Sequence, residues 1–272
     1  MEMSQRRHMT GWARHWSLIW QLSKRELAQR YKSSALGGFW VVAQPLIQLL
    51  LYAFVFQVVL RSRWGVTVPN TGQEVPFGLI LFVGILVHAL LAEILVRGPS
   101  LVVSNVSFVK RVIFPLEILP VVTMVTAFIN VMFGFLILFA AFMLVHGSLT
   151  PMTFMIVIPL FFLIVLGLGL GWLLSALGVY FRDLSQLTTH LSTILMFTAP
   201  ICYPATMVPE HFRWLLQINP LTLPVESVRG MLFQSAPPDW SALLTYGAGT
   251  IVFAWFGNFV FRKLRGGFAD VL

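Results

Sequence analysis

Apolar residues in this chain fall into long unbroken runs rather than alternating with polar ones, and short intervals rich in Pro, Gly and Arg separate the runs. A helix needs about 20 such residues to cross the hydrocarbon core of a bilayer. Six runs approach or exceed that length: Leu36 to Leu60, Phe77 to Val96, Leu116 to Val145, Met152 to Tyr180, Gln186 to Tyr203 and Ser241 to Phe261. The expected fold is an all-α polytopic membrane protein with six transmembrane helices in a single domain over residues 1–272. The third and fourth runs are longer than a crossing requires, so tilt or protrusion is expected there. No internal repeat or soluble domain interrupts the pattern.

The intervals carry patterns of their own. Over residues 12–32, Trp12, Trp16, Ile19, Trp20, Ser23 and Leu27 recur at helical spacing, while Arg14, Gln21, Lys24 and Arg25 take other faces. This spacing predicts an amphipathic helix lying in the membrane interface, tryptophans at headgroup level and basic groups toward anionic lipid. A plain charged anchor is the alternative. Ser33, Ser34, Gly37 and Gly38 then permit a sharp bend into the first run. Residues 104–115 form a short basic and amphipathic connection, stopped by Pro115, that is more elaborate than two adjacent spans require. Residues 204–240 contain six prolines that divide them into pieces. Pro209 and Pro224 each suit the first turn of a short helix, one presenting Phe212, Leu215 and Leu216, the other Val225, Val228 and Leu232. Two half-helices at the outer surface, or an ordinary structured loop, both fit that pattern.

Composition fixes the class. Of 272 residues 58% are hydrophobic and 10% charged, and the mean hydropathy is +0.84, which excludes a soluble globular surface. The formal charge of +8 is sorted by side rather than gathered into a nucleic-acid patch. With the N-terminus inside, all but Arg61, Arg63, Arg213 and Arg229 of the 18 Lys and Arg face inward, so both termini are expected in the cytoplasm. Arg6, Arg7 and Arg14 are not followed by the apolar stretch of a signal peptide, so the mature chain is expected to begin at this N-terminus. A single cysteine, Cys202, excludes an internal disulfide and reads as a small apolar filler.

Chemistry is sparse. No Gly-x-x-x-x-Gly-Lys-Ser/Thr is present to cradle nucleotide phosphates, and no His-Glu-x-x-His, Cys-x-x-Cys or paired carboxylates suggest a metal site or hydrolase. The expectation is no enzyme, no catalytic residue and no metal. Glu93 and Arg97 stand four apart and read as a structural pair; Glu117 follows Pro115 at a helix start. His88 and His190 are too few for a proton relay. Gln44, Gln48 and Tyr52 recur every four residues beside Trp40, and the fifth run is rich in hydroxyls, among them Thr189, Ser192 and Thr193, with Phe197 nearby. Amide and hydroxyl groups that glue helices together would give this pattern, as would a conduit whose aromatics stack on sugar rings.

Taken in order, several fragments resemble one family. They are Arg30-Tyr31-Lys32-Ser33-Ser34-Ala35-Leu36-Gly37 with Trp40 and Pro45, then Asn105 through Val109-Lys110-Arg111-Val112-Ile113-Phe114-Pro115 with Glu117-Ile118-Leu119-Pro120. Phe181-Arg182-Asp183, Pro200-Ile201-Cys202-Tyr203-Pro204, Met207-Val208-Pro209-Glu210, Asn219-Pro220-Leu221-Thr222, Glu226, Arg229 and Phe268-Ala269-Asp270-Val271-Leu272 follow. Across the whole chain they resemble the membrane subunits of type-II ABC exporters of bacterial cell-surface polysaccharide, the O-antigen permeases and their relatives for teichoic acid and capsule. Departures are small: Cys202 stands where relatives commonly have an aromatic, and His211 follows the Val208-Pro209-Glu210 fragment.

That resemblance implies a homodimer in the bacterial cytoplasmic membrane, joined to two separate ATPase subunits that bind the ATP and Mg, and a lipid-linked polysaccharide passing between the copies. It implies a coupling helix with Asn105, Phe108, Lys110, Arg111 and Phe114 as contacts to the ATPase. It implies an outer gate entered at Pro200, Tyr203 and Pro204; Phe212, Trp214, Glu226 and Arg229 belong to the same gate. The conduit assignment of Trp40, Gln44, Gln48, Tyr52, Thr189, Ser192, Thr193 and Phe197 rests on the faces described above. A drug-efflux permease of the same broad group and a membrane enzyme of envelope synthesis are the competing readings.

Overall fold

A computed structural model describes residues 11–32, 34, 36–69, 72–109, 114–147 and 149–272, without the side chains of residues 11–14, Tyr31 and Val109. Five helical stretches among them are long and apolar enough to cross a membrane: Gly37–Val59, Phe77–Ser100, Ile118–His146, Pro151–Tyr180 and Trp240–Val271. The chain is therefore an all-α, multi-pass membrane protein.

The first helix, α1 (Gly11–Lys32), packs on the start of α5 (Ile118–His146). Ile19 and Ser23 are buried there beside Ile118 and Val122, whereas Trp16 and Trp20 stay exposed. The ammonium of Lys24 stands 5.2 Å over the Trp20 ring. Helix α2 (Trp40–Tyr52) continues into a π-helical stretch, Ala53–Val59. It buries only Ala43 and Leu49 of its α-helical part and leaves Leu46, Ile47, Leu50, Leu51 and Phe54 exposed.

Helix α3 (Phe77–Arg97) is the most enclosed span. Its C-terminal end runs on through 3-10 turns, Gly98–Ser100 and Val103–Asn105, into the single turn α4 (Val106–Val109). Helix α5 stops at Gly147, whose φ of 80° is open to glycine and whose N–H donates to Met143 O at 2.8 Å. Helix α6 (Val157–Tyr180), preceded by a 3-10 turn Pro151–Ile156, packs most extensively on α10 (Trp240–Leu264). Small residues allow this: a methyl group at Gly169 would lie 2.8 Å from the Ala254 Cα, and one at Gly257 would overlap the Gly169 carbonyl. Asp239 starts α10 by accepting from the N–H groups of Ser241 and Ala242 at 3.0 and 3.1 Å. Those bonds, with the Ser241 hydroxyl foremost, hold its carboxyl below the usual range.

The fifth expected run, Gln186 to Tyr203, is helical only as α7 (Leu184–Thr198). Fifteen residues rise about 22 Å, short of the ~30 Å hydrocarbon core. The cause is Pro200, which pushes Ala199 into an extended conformation (φ −82°, ψ 154°) and ends the helix. Even so, α7 contacts the Gly98–Ser100 turn at one end of α3, and the turn that follows it sets Ile201 against Gly84. Short helices follow, α8 (Arg213–Ile218) and α9 (Thr222–Phe233), the latter buried against α3 and the Pro151–Ile156 turn. The chain ends in α11 (Phe268–Val271), where Phe268 packs on Phe261 and Tyr180.

Candidate functional site

Two regions at opposite ends of α3 concentrate the polar contacts. At the α1 end, Glu26 and Arg30 lie four apart on α1, as Glu93 and Arg97 do on α3. The pairs cross over: Arg30 bonds Glu93, and Arg97 bonds Glu26 as well as Glu93, the last at 2.9 Å. The Thr126 hydroxyl of α5 donates to Glu26 at 3.3 Å, so three helices meet in one ionic junction. Sequence spacing exposes the Glu93 and Arg97 pair; the matching spacing on α1 was the available signal for its partners.

The connection beyond Arg97 is held from both sides. Ser104 Oγ and Asn105 Nδ2 both donate to Leu101 O, at 3.3 and 2.9 Å, so the carbonyl that the last turns leave open is satisfied. Pro99 lies so close to Gly178 of α6 that any Cβ there would overlap the Pro99 carbonyl. Phe108 stacks on Phe114 with ring centroids 4.3 Å apart and planes 11° from parallel. Both rings pack on Val102, Leu116, Leu119, Phe261 and Phe268. Lys110 and Arg111, the expected basic contacts, lie outside the described residues. Glu117 is fixed by Arg265 at 2.7 Å, and its carbonyl accepts from Trp172 Nε1 at 2.9 Å.

At the opposite end sits Arg229, 6% exposed. Its Nε donates to Ile80 O at 3.1 Å and its Nη2 to Ile201 O at 2.8 Å, while Nη1 serves Pro200 O and Glu226 Oε1, the latter at 3.0 Å. The indole of Trp64 covers the guanidinium at 4.6 Å. Burial pushes this group down to about 10, so it stays charged at neutral pH. The prolines of the 199–204 turn prevent regular hydrogen bonding, and carbonyls left open beside apolar spans need an internal donor. Arg229 is that donor. Gly84 leaves it room, since a methyl group there would lie 3.0 Å from Nη2. Asn219 completes the brace by donating to Leu195 O and Thr198 Oγ1 at 2.9 and 2.8 Å while accepting from the Leu221 N–H.

The expected gate residues divide accordingly. Pro200, Glu226 and Arg229 come together, and Tyr203 lies beside them with its hydroxyl donating to Phe197 O at 2.8 Å. Pro204 initiates the next turn, whereas Phe212 and Trp214 point outward on and before α8. The sequence marks Arg229 as an outer cation and gate residue and Asn219 as part of a family fragment, but it gives no sign of Trp64 or of the bonds these side chains make.

The expected conduit residues do not form one wall within a single chain. Helix α2 packs on α5 and α3, and α7 on α3 and α6. Trp40 donates to Ser34 Oγ at 2.6 Å and Gln48 to the Tyr52 hydroxyl at 3.3 Å; Gln44 is exposed. The hydroxyls of Thr189 and Thr193 bond back to carbonyls of their own helix at 2.8 and 3.3 Å. Ser192 is buried against His88, while Phe197 is exposed. Among the described residues no group of three or more His, Cys, Asp or Glu is placed to hold a metal.

A chain of membrane-crossing helices with an anchored polar connection at one end matches the ABC-2 type transporter family over residues 17–233. The chain belongs to that family. Its members are membrane subunits without ATPase activity of their own. Within it the chain is similar to the O-antigen export system permease protein RfbA of Myxococcus xanthus, 30% identical over 260 residues covering 93% of this chain and 94% of the relative. RfbA of Klebsiella pneumoniae is 26% identical over 258 residues, 94% of this chain and 95% of its own length. The polysialic acid transport protein KpsM of Escherichia coli is 22% identical over 241 residues, 88% and 90% respectively. This ABC-2 subunit thus matches O-antigen export and polysialic acid transport proteins over 88 to 94% of its length.

Proposed function

We propose that the chain is one half of a homodimeric permease that exports a lipid-linked cell-surface polysaccharide, O-antigen or a related glycan, across the bacterial cytoplasmic membrane. The observation that carries this reading is similarity to polysaccharide export permeases over nine-tenths of both chains. Both termini lie in the cytoplasm, and α7 with the Ala199–Tyr203 turn makes the sixth crossing. Two separate ATPase subunits bind ATP and Mg and seat on the Asn105 to Phe114 segment.

The second copy covers the apolar side chains that α2 and α7 leave exposed, among them Leu50, Phe54, Leu187, Leu191 and Ile194. The glycan slides between the copies past Trp40, Gln44, Gln48, Tyr52 and the α7 hydroxyls, through weak repeated contacts. The half-helices α8 and α9, braced by Arg229, form the outer gate.

The test is reconstitution of the chain with its nucleotide-binding subunit in vesicles. ATP-dependent movement of a lipid-linked glycan is expected, and replacing Lys110 and Arg111 with Glu should leave ATP hydrolysis running while movement stops. Turnover of a lipid-linked sugar by the chain alone, or unaltered movement in the double variant, defeats the reading.

A further inference from the structure

Helices α1 and α5, packed on each other, do not close against α10. They leave a groove of about 1240 Å³. Trp16 and Ile19 of α1, Ile118 and Val121 of α5, Trp172 of α6 and Trp255 of α10 form its apolar wall. Trp255 is 69% exposed and stacks on Phe259. At the end of the groove the lining turns cationic, with Arg262 and Arg265, beside His15 and Asn258. It opens there into a polar recess of about 440 Å³ bounded by Glu117, Arg262, Arg265 and Gly266. Arg265 is committed to Glu117, but among the described residues Arg262 has no carboxylate partner.

The change from apolar to cationic runs along α10 from Ala254 to Arg262, eight residues or about 12 Å. An amphiphile entering from the bilayer meets tryptophans first and guanidinium groups at headgroup depth. Basic pockets of this kind between membrane helices select anionic headgroups. The geometry points to an anionic glycerophospholipid of the leaflet at the α1 end, its acyl chain against Trp16, Trp172 and Trp255 and its phosphate on Arg262. The occupant is a resident bilayer lipid rather than the exported amphiphile, because the groove opens between α1, α5 and α10, while the residues expected to meet the glycan are on α2 and α7. The inference is independent of what the permease exports.

The test reads the groove tryptophans, three of the nine in the chain, through the difference in quenching between wild type and Trp255→Phe. The full chain in mixed micelles is titrated with dibrominated phosphatidylglycerol or with dibrominated phosphatidylcholine of the same chain length, and fluorescence quenching is recorded. Wild type should be quenched by the anionic lipid at roughly fivefold lower concentration, the preference one basic group confers. Arg262→Glu should abolish that preference, Arg262→Gln should reduce it, and Arg182→Glu, at another inner connection, should keep it. Trp255→Phe should remove part of the quenchable signal. Equal quenching by both lipids in wild type, a preference that survives Arg262→Glu, or displacement of the anionic lipid by an equimolar polyprenyl diphosphate would each overturn the proposal. So would a change of oligomeric state in Arg262→Glu without a change in lipid preference, which would make the groove a protein interface.

Discussion

Arg229 donates to the carbonyl of Ile201 at 2.8 Å, across 28 residues of chain, and so holds the broken end of α7 against α9. Removing a member of a buried charged network costs about 3–5 kcal/mol. Arg229→Met is therefore expected to lower the thermal unfolding midpoint sharply in detergent, and Arg229→Lys, which keeps charge but cannot reach three carbonyls, less so. The folded value lies below that of a free guanidinium, so the unfolded chain binds more protons only above about pH 10, and stability can rise with pH only there. Between pH 6 and 8 the difference between wild type and variant should be flat. A midpoint in Arg229→Met equal to wild type would remove the brace.

The crossed pairs of Glu26, Arg30, Glu93 and Arg97 tie α1 to α3. All four side chains are partly exposed, so solvent screening limits the junction to about 1 kcal/mol per pair. Glu26→Gln is expected to make α1 more susceptible to limited proteolysis without preventing insertion. The exchanged variant Glu26→Arg with Arg97→Glu should recover part of the protection; no recovery would mean that α1 is held by Ile19 and Ser23 alone.

Two glycines should respond in opposite ways to alanine. Gly178→Ala forces a Cβ into the Pro99 carbonyl and should cost about 1–3 kcal/mol, with loss of assembled protein. Gly249 on α10 has nothing within 4 Å of its would-be Cβ, so Gly249→Ala should be neutral or stabilising by up to about 1 kcal/mol. Unfolding midpoints of the two variants decide this directly.

The hydroxyls of Thr189 and Thr193 are already bonded within α7, so they contribute little to packing between helices. Thr189→Val with Thr193→Val should leave unfolding within about 0.5 kcal/mol of wild type. If they touch the glycan, export falls while assembly persists. Export equal to wild type would take this face of α7 out of the conduit.

Helix positions were legible in the sequence because a span is a property of composition over some twenty consecutive residues, and α3, α5, α6 and α10 follow their apolar runs closely. The family resemblance was legible for the same reason: its fragments lie in order along the chain. Arg229 was not. Its burial follows from which carbonyls Pro200 and Pro204 leave open and from the space at Gly84, relations between residues far apart in sequence. The proline pair beside a short apolar helix was the signal that a donor would be needed. The shortness of α7 has the same origin, since a hydropathy pattern does not register that Ala199 must be extended.

Helix α3 accepts a bond from Arg229 at Ile80 and carries the junction with α1 at Arg97, about 26 Å further along. It is the most enclosed of the described spans. Under the proposed function, a push delivered at Asn105 has α3 as its route to the Arg229 brace, because both regions are bonded to that one helix. On that reading a substitution midway along α3, for example at His88, should lower export while leaving the α1 junction and the Arg229 brace intact.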